Sequence, residues 1–288
     1  MFPRLPIGRL FPNRGGNGQQ LPEEQQPDGP KPEDEFYPAP FDVLKVRHIL
    51  LWKIRPEGLP AEVVDMIVDA AEYWPSFEIT MGERRVIRKD VDEALLCTTP
   101  LCYDEKTLDT PSPKLLPHRT VHPCRKIQFH IVSHDQGGYN ESHRLRTNSD
   151  AYNGSFTWFD IEVIHRAHET PGKTTIQKKM NPEDRRPQHF GPDNPLLLPR
   201  QNTLQRNRTK VQRPQRHNVV WHYLDNIAME SPEAEELERN NGRGRDTFAG
   251  KQVRELEPGD SIIVWARARF PGWLNYVNEL SVRVFWVL

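Results

Sequence analysis

The amino-acid sequence predicts a mainly β protein: an antiparallel β-sandwich of the jelly-roll type, preceded by a small helical segment and a disordered tail. First, apolar and polar residues alternate in several short runs between turn residues, as in strands with one buried face. Second, the 27 prolines among 288 residues are nearly twice the average share of about 5%, which disfavours a mostly helical chain. Third, only one segment has a clear helical period.

The predicted tail covers residues 1–40 and is rich in Gly, Gln, Glu and Pro. Without periodic apolar residues it cannot bury enough surface to offset the entropy lost on ordering, so we expect it to be disordered. The chain has no apolar run of about 18 residues and no signal-peptide run at its N-terminus. Its three cysteines suit a reducing compartment. We therefore expect a soluble protein, cytoplasmic or nuclear, with no membrane contact.

The helical segment is expected at 41–78, and its clearest part is a helix over 59–74. Pro60 suits the first helical position, and Pro75 marks the end. Apolar residues recur on one side of this helix at spacings of three and four: Leu59, Val63, Ile67, Ala70 and Trp74.

The sandwich is expected over 79–288. Its strands are predicted at 127–133, 155–164, 218–223, 261–269 and 280–287, where β-branched and aromatic residues alternate with polar ones. Two charged insertions, at about 166–216 and 229–250, are expected to be loops. The central part of the first insertion, about 172–212, is poor in apolar residues. We therefore expect this segment, like the tail, to be dispensable for folding.

The charge balance argues against a nucleic-acid-binding protein. The 39 Lys and Arg against 40 Asp and Glu give a net charge of −1, which removes the basic field typical of such proteins. The basic loop 166–216 is the one place where nucleic acid could bind. Its only aromatic residue is Phe190, so it lacks the side chains on which bases stack.

Possible metal ligands gather in one stretch of the chain. Cys97, Cys102, His118, His122 and Cys124 are all candidate ligands, but only the two histidines approach the tight spacing of zinc ligands. We predict no metal site and no cofactor. The sequence leaves open whether a metal binds near Cys97–Cys124.

A second candidate chemistry is hydrolysis at a polar centre formed by His130, His134 and Asp135. Neighbouring residues of a strand point to opposite faces, so Ser133 and His134 cannot easily meet. The chain also lacks the Gly-x-Ser-x-Gly turn that exposes a nucleophilic serine. We therefore predict no catalytic residue and favour a non-catalytic protein, with an enzyme of this type as the alternative.

The helix over 59–74 carries a recognisable motif. Leu-Pro-x-Glu-Val-Val-x-x-Ile-Val, at 59–68, resembles the opening of an F-box, the module that docks on the linker subunit of a ubiquitin-ligase complex. The resemblance implies that this helix docks a partner protein. The alternative is an amphipathic helix packed on its own sandwich. The residues that would dock are Leu59, Pro60, Val63, Ile67 and Trp74.

A second resemblance covers the C-terminal two thirds. The segment Phe270–Trp273 before a last strand, with the aromatic strand Phe156–Phe159 earlier, is similar to the galactose-binding-like jelly roll behind the F-box of sugar-recognising F-box proteins. The chain also resembles fungal proteins of unknown function, through three motifs: Ser-His-Asp-Gln-Gly at 133–137, Gly-Ser-x-Thr-Trp-Phe at 154–159 and Pro-Gly-Trp-x-Asn at 271–275.

The second resemblance implies that ligand-binding loops lie at one end of the sandwich. The candidate ligand-binding residues are Asp135, Gln136, Trp273 and Asn275. Trp273 either closes the core or serves as an exposed stacking platform, and the sequence leaves both open. We therefore predict a non-catalytic binding or adaptor protein that recognises a protein or glycan through these loops and is linked to a ubiquitin ligase by its helix.

Overall fold

The structure is a computed structural model that describes residues 36–138, 151–169 and 188–288, and Tyr37–Leu288 form one compact unit. Most of the predicted tail, residues 1–35, lies outside the described residues. The end of that predicted tail is packed: the Tyr37 ring lies 5.9 Å from the Phe285 ring and under the guanidinium of Arg283. The compact unit therefore begins earlier than the composition indicates.

Four α-helices are found in the described residues: α1 (Pro40–Trp52), α2 (Ala61–Ala70), α3 (Pro232–Asn241) and α4 (Lys251–Arg254). Helix α2 is shorter than predicted and follows Pro60. Helix α3 begins where the Ser231 side chain accepts a hydrogen bond from the Ala234 N–H, and ends at Gly242 in a left-handed conformation. No helix among the described residues is both long and apolar enough to cross a bilayer.

The strands form two antiparallel sheets. The strands of the first sheet are β1 (Ser76–Thr80), β2 (Arg85–Arg88), β4 (Cys124–His134), β7 (Gln215–His222) and β9 (Leu274–Trp286). The strands of the second sheet are β3 (Glu93–Cys97), β5 (Thr157–Ile164), β6 (Gln205–Arg206) and β8 (Ser261–Ala268).

The strand order is that of a jelly roll. The first sheet runs β1-β9-β4-β7, with β2 pairing another stretch of β9, and the second runs β3-β8-β5-β6. The pairs are therefore nested along the chain: β1 with β9, β3 with β8, β4 with β7 and β5 with β6. This is the connectivity of two Greek keys folded together. The predicted antiparallel sandwich with an N-terminal helical segment is confirmed.

One apolar core joins the sheets to the two N-terminal helices. Ile127, Phe129 and Ile131 alternate inward along β4, as their period of two requires. Val64 and Val68 of α2 belong to the same buried cluster. The N-terminal helices are therefore part of the sandwich unit.

The two charged insertions are more ordered than predicted. The second contains α3, and in the first Leu204 and Asn207 are fully buried. Arg206 of the first insertion lies 2.9 Å from Glu238 of the second. At this point the two insertions are therefore joined by an ion pair, which a solvated loop would not form. The prediction that residues through 212 are dispensable is therefore wrong for the stretch around Asn207, and residues 170–187 lie outside the described residues.

A buried ion-pair network supports the second sheet. The Asp92 carboxylate accepts hydrogen bonds from Arg269, at 2.6 and 2.9 Å, and from Arg267. Arg267 also donates to Asp160 at 2.6 Å, and the Arg269 side chain is fully buried. Two guanidinium groups are thus balanced by two carboxylates in the interior, where an unpaired charge would be strongly unfavourable.

We predict that Asp92→Ala lowers the free energy of unfolding by about 3–5 kcal/mol, because it leaves a buried guanidinium without its carboxylate. Glu83→Ala is the matched control, since its ion pair with Arg85 is exposed and is worth at most about 1 kcal/mol. Urea unfolding of both variants measures the difference. Equal small losses would contradict a structural role for Asp92.

Candidate functional site

Two of the four predicted ligand-binding residues lie in the interior. Asp135 follows β4, is fully buried and accepts hydrogen bonds from the backbone N–H groups of Gly137, at 2.8 Å, and Lys210. Burial raises the pKa of the Asp135 carboxyl, and these backbone donors oppose that rise. Asn275 of β9 is also fully buried. Both side chains hold the loops and sheets together where the prediction placed a ligand.

The other two predicted residues lie nearer the surface. Trp273 is half-buried and packs edge-to-face on Phe156 at 5.2 Å, and Phe156 packs in the same way on Phe270 at 4.5 Å. The Gln136 side-chain oxygen accepts a hydrogen bond from the Leu274 N–H at 3.0 Å. These contacts form an aromatic cluster at the loop between β8 and β9, with Gln136 beside it. Trp273 is thus neither a fully buried core residue nor a fully exposed platform.

The predicted polar centre is spread over separate partners. The His130 ring bonds the Asn218 side-chain oxygen through Nδ1 at 2.7 Å. His134 stacks on Tyr276 at 4.7 Å, and its Nδ1 bonds the backbone carbonyl of Asp135 at 2.7 Å. The Asp135 carboxylate is directed at backbone N–H groups. The described contacts therefore do not join His130 or His134 to the Asp135 carboxylate as a general acid–base pair would require; the carboxylate nearest His130 is Glu279, 3.7 Å from its Nε2.

The cysteine-rich stretch forms no metal site in the part of the chain that the structure describes, where no three His, Cys, Asp or Glu residues converge. Cys102 and Cys124 are buried thiols, and burial raises the pKa of both, that of Cys124 to about 12. A thiol with such a pKa stays protonated, whereas the thiolate is the form that binds metals and reacts.

The candidate docking helix is divided between two surroundings. On α2 and its flanks, Trp74 is buried and Leu59 is half-buried against the core. Pro60 is exposed, and Val63 and Ile67 are 39% and 41% exposed. The helix packs on its own sandwich through Val64 and Val68, about a quarter turn from the predicted face, because those positions point at the core. One side of α2 therefore packs on the sandwich, and Val63 and Ile67 on the neighbouring side remain exposed.

Helices α1 and α2 form a hairpin that hydrogen bonds and ion pairs hold together. The Leu59 N–H donates to the Leu51 carbonyl at 3.2 Å. Arg47 of α1 pairs with Asp65 of α2, and Arg119 pairs with the same carboxylate at 2.6 Å and with Asp69 at 2.8 Å. These half-buried ion pairs fasten the inner side of the hairpin and orient its outer side toward solvent.

The outer side of this hairpin is apolar. Among the described residues, nine of the fifteen large hydrophobic side chains that remain exposed fall within residues 36–67. Phe41 and Trp52 of α1 are 73% and 65% exposed, and Met66 of α2 is 70% exposed. We call the exposed apolar residues of the hairpin the helical face: Phe41, Leu44, Ile49, Trp52, Ile54, Val63, Met66 and Ile67. Sequence reasoning found Val63 and Ile67 but missed α1, because the segment 44–54 has no single apolar side.

A polar cavity lies beside α3. It has a volume of about 250 Å³ and is lined by Tyr152, Asn153, Arg206, Glu235, Glu238, Arg239 and Arg245. Its guanidinium groups pair with its carboxylates: Arg206 and Arg245 with Glu238, and Arg239 with Glu235. The cavity is thus a structural ion-pair cluster at the junction of the two insertions.

Comparison with known proteins identifies no relative of this chain. The chain matches no protein-family model, and neither the curated proteins nor the solved structures contain a significant match. The fold and the geometry of its surfaces therefore carry the functional argument: the chain is a jelly-roll sandwich with an outward-facing helical hairpin.

A buried histidine that the sequence analysis did not single out, His217, should make the stability of the protein depend on pH in the acid range. Burial and the nearby charge of Arg208 lower the pKa of His217, on β7, from 6.5 to about 4. As the pH falls below 6.5, His217 becomes protonated in the unfolded chain but stays neutral in the folded chain until about pH 4. The contribution of His217 to the free energy of unfolding is therefore fully present above pH 6.5 and decreases as the pH falls to about 4.

We predict that His217→Phe removes this loss, which amounts to about 3 kcal/mol. Urea unfolding of the variant and the wild type at a series of pH values measures it. The free energy of unfolding of the variant should rise relative to that of the wild type as the pH falls from 7 to 4. Parallel curves would show that His217 titrates normally.

Proposed function

We propose that this chain is a non-catalytic binding protein whose helical face docks another protein. One observation carries the proposal: exposed large hydrophobic side chains of the described residues are concentrated on one rigid hairpin. Single exposed apolar residues are ordinary, but a concentration of them marks an interaction surface. Three free thiols support a reducing compartment for this function, the cytoplasm or the nucleus.

The energetics favour docking over a purely structural role for the hairpin. Its inner side already packs through Val43, Val64 and Val68, which are almost fully buried. Leaving a large side chain such as Trp52 or Met66 exposed contributes nothing to folding, whereas burying it against a partner is worth about 1.5–3 kcal/mol. Aromatic residues are also the usual anchors of protein interfaces.

The F-box resemblance supports a link to ubiquitin ligase as a second candidate. Leu59 and Pro60 immediately precede α2, as the leucine–proline pair opens the F-box motif that this segment resembles, and Val63 and Ile67 are exposed, as docking residues must be. Helix α2 is followed by β1 at Ser76 instead of a second helix, so the resemblance covers one helix of the module. The linker subunit is therefore a specific protein to test against this surface.

The sandwich loops supply a second candidate surface, for a protein or a glycan. Trp273 keeps part of its ring at the surface while Phe156 fixes its orientation. A rigid, partly exposed indole can stack on the apolar face of a sugar or insert at an interface. Gln136 holds the same loop through its side-chain oxygen, and its amide nitrogen, which donates to none of the described residues, could donate to a ligand.

We predict that the double variant Phe41→Ser, Met66→Ser keeps its stability and loses its protein partner. Both side chains are mostly exposed, so truncating them changes unfolding by less than about 1 kcal/mol. The control is Val220→Ser, Leu224→Ser, which removes exposed apolar residues elsewhere. Wild-type and variant chains carrying a tag are purified from cells, and the proteins that co-purify are identified. The affinity of each such protein for each purified chain is then measured. Identical partners and affinities for all chains would refute the docking role.

We predict that Trp273→Ala lowers the free energy of unfolding by less than the about 3–5 kcal/mol typical of a buried tryptophan, because Trp273 is only partly buried. The same variant should lose binding on a glycan array or to a protein partner. Leu198→Ala, at another exposed position, is the control and should keep both properties. Unchanged binding by Trp273→Ala would remove this loop from the ligand site.

A further inference from the structure

We infer that the protein docked on the helical face is a second copy of this chain, with α1 of each copy packed against α2 of the other. The inference rests on the proposed docking function and names its partner. It is carried by the way in which charge is divided between the two helices of the hairpin.

The exposed charges of α1 and its C-terminal end are basic. Lys45, Lys53 and Arg55 are exposed, and His48 is exposed between them. Lys45 and His48 fall on the same side of α1 as Phe41 and Trp52, at the spacings that align residues on a helix. None of these cations has an ion-pair partner among the residues that the structure describes. The outer side of α1 is therefore apolar and positively charged.

The exposed charges at α2 are acidic. Glu57 precedes the helix, Glu62 lies in its first turn beside Met66, and both are exposed. The other acids of α2, Asp65 and Asp69, are already paired with arginines on the inner side of the hairpin. The outer side of α2 is therefore apolar and negatively charged, which complements α1 of another copy.

The sizes of the exposed side chains are complementary as well. Helix α1 presents Phe41 and Trp52, whereas α2 presents Val63, Ile67 and the small Ala70 beside the flexible side chain of Met66. Large residues of one helix can thus pack between smaller residues of another, as in ridges-into-grooves packing. A two-fold axis between the hairpins would make both α1–α2 contacts at once, which is the arrangement of an isologous four-helix interface.

The available area is sufficient for a dimer. Aromatic side chains bury about 150–250 Å² each, so Phe41 and Trp52 at their exposed fractions offer roughly 250 Å² per copy. Two copies contribute about 500 Å² from these residues alone, about a third of the roughly 1,600 Å² of a standard interface. The six aliphatic and Met side chains of the helical face add to this in each copy.

The same charges disfavour a membrane surface as the occupant. Lys45, Lys53 and Arg55 would be attracted to anionic lipid, but Glu57 before α2 and Glu62 in its first turn would be repelled. A surface that carries both positive and negative charges is complementary to a second copy, because the basic α1 of each copy then faces the acidic α2 of the other. Vesicle binding is therefore an outcome that the test must distinguish.

Charge reversal in the full chain tests the inference. The α1 variant carries Lys45→Glu and Lys53→Glu, and the α2 variant carries Glu57→Lys and Glu62→Lys. Each variant places like charges across both contacts, so we expect the dimer dissociation constant to rise about 100-fold or more in sedimentation equilibrium. An equimolar mixture of the two variants restores opposite charges at both contacts and should recover the wild-type affinity. Lys114→Glu with Lys251→Glu changes the net charge by the same amount and sign as the α1 variant, but at exposed positions outside the hairpin, and should leave the dimer intact.

Several outcomes would overturn the inference. If the wild type is monomeric at every concentration, the partner is not a second copy; the docking role then stands only if Phe41→Ser, Met66→Ser still loses another protein, such as the ubiquitin-ligase linker subunit. Monomers that bind phosphatidylserine vesicles would identify a membrane surface instead. A dimer that survives both charge variants lies elsewhere on the molecule. Folded variants, verified by circular dichroism, that remain monomeric when mixed would exclude the α1-to-α2 arrangement.

Discussion

A buried amide pair fixes how the two sheets face one another. The Asn207 side chain accepts a hydrogen bond from Ser133 at 2.6 Å, and donates to Thr157 at 3.0 Å and to Asn275 at 2.9 Å. Asn275, on β9 of the first sheet, donates in turn to backbone carbonyls of β5 and β8 in the second sheet. A satisfied polar network in the interior has one geometry, unlike interchangeable apolar contacts. It therefore sets the register between the layers.

The rest of the molecule is arranged around this fixed sandwich. Because Asn207 lies in the basic insertion, that segment has to fold onto the sheets, and its charges are then balanced by Glu238 of α3. At the N-terminal side, the pairing of Arg47 and Arg119 with Asp65 fastens the hairpin. A rigid hairpin loses little conformational entropy when it binds, so its exposed side is suited to docking.

Alternation and turn chemistry were enough to predict the sandwich and most of its strands, as at Ile127–Ile131, where a period of two decides burial. These patterns could not reveal that Asp135 and Asn275 are buried. The sequence pattern of a polar residue near a turn is the same whether its side chain hydrogen-bonds to solvent, to a ligand or to a distant part of the backbone. The ordered insertions were missed for a related reason: the partner of Arg206 lies 32 residues away in sequence. The α1 side of the helical face could not be predicted because its exposure depends on which side the sheets cover.

A double-mutant cycle between Asn207 and Asn275 tests most directly whether the buried amide pair holds the sheets in register. The free energies of unfolding of Asn207→Ala, Asn275→Ala and the double variant are measured in urea. If the two amides act as one network, the double variant should be less destabilised than the sum of the single variants by at least about 1 kcal/mol. Strictly additive losses would contradict this account.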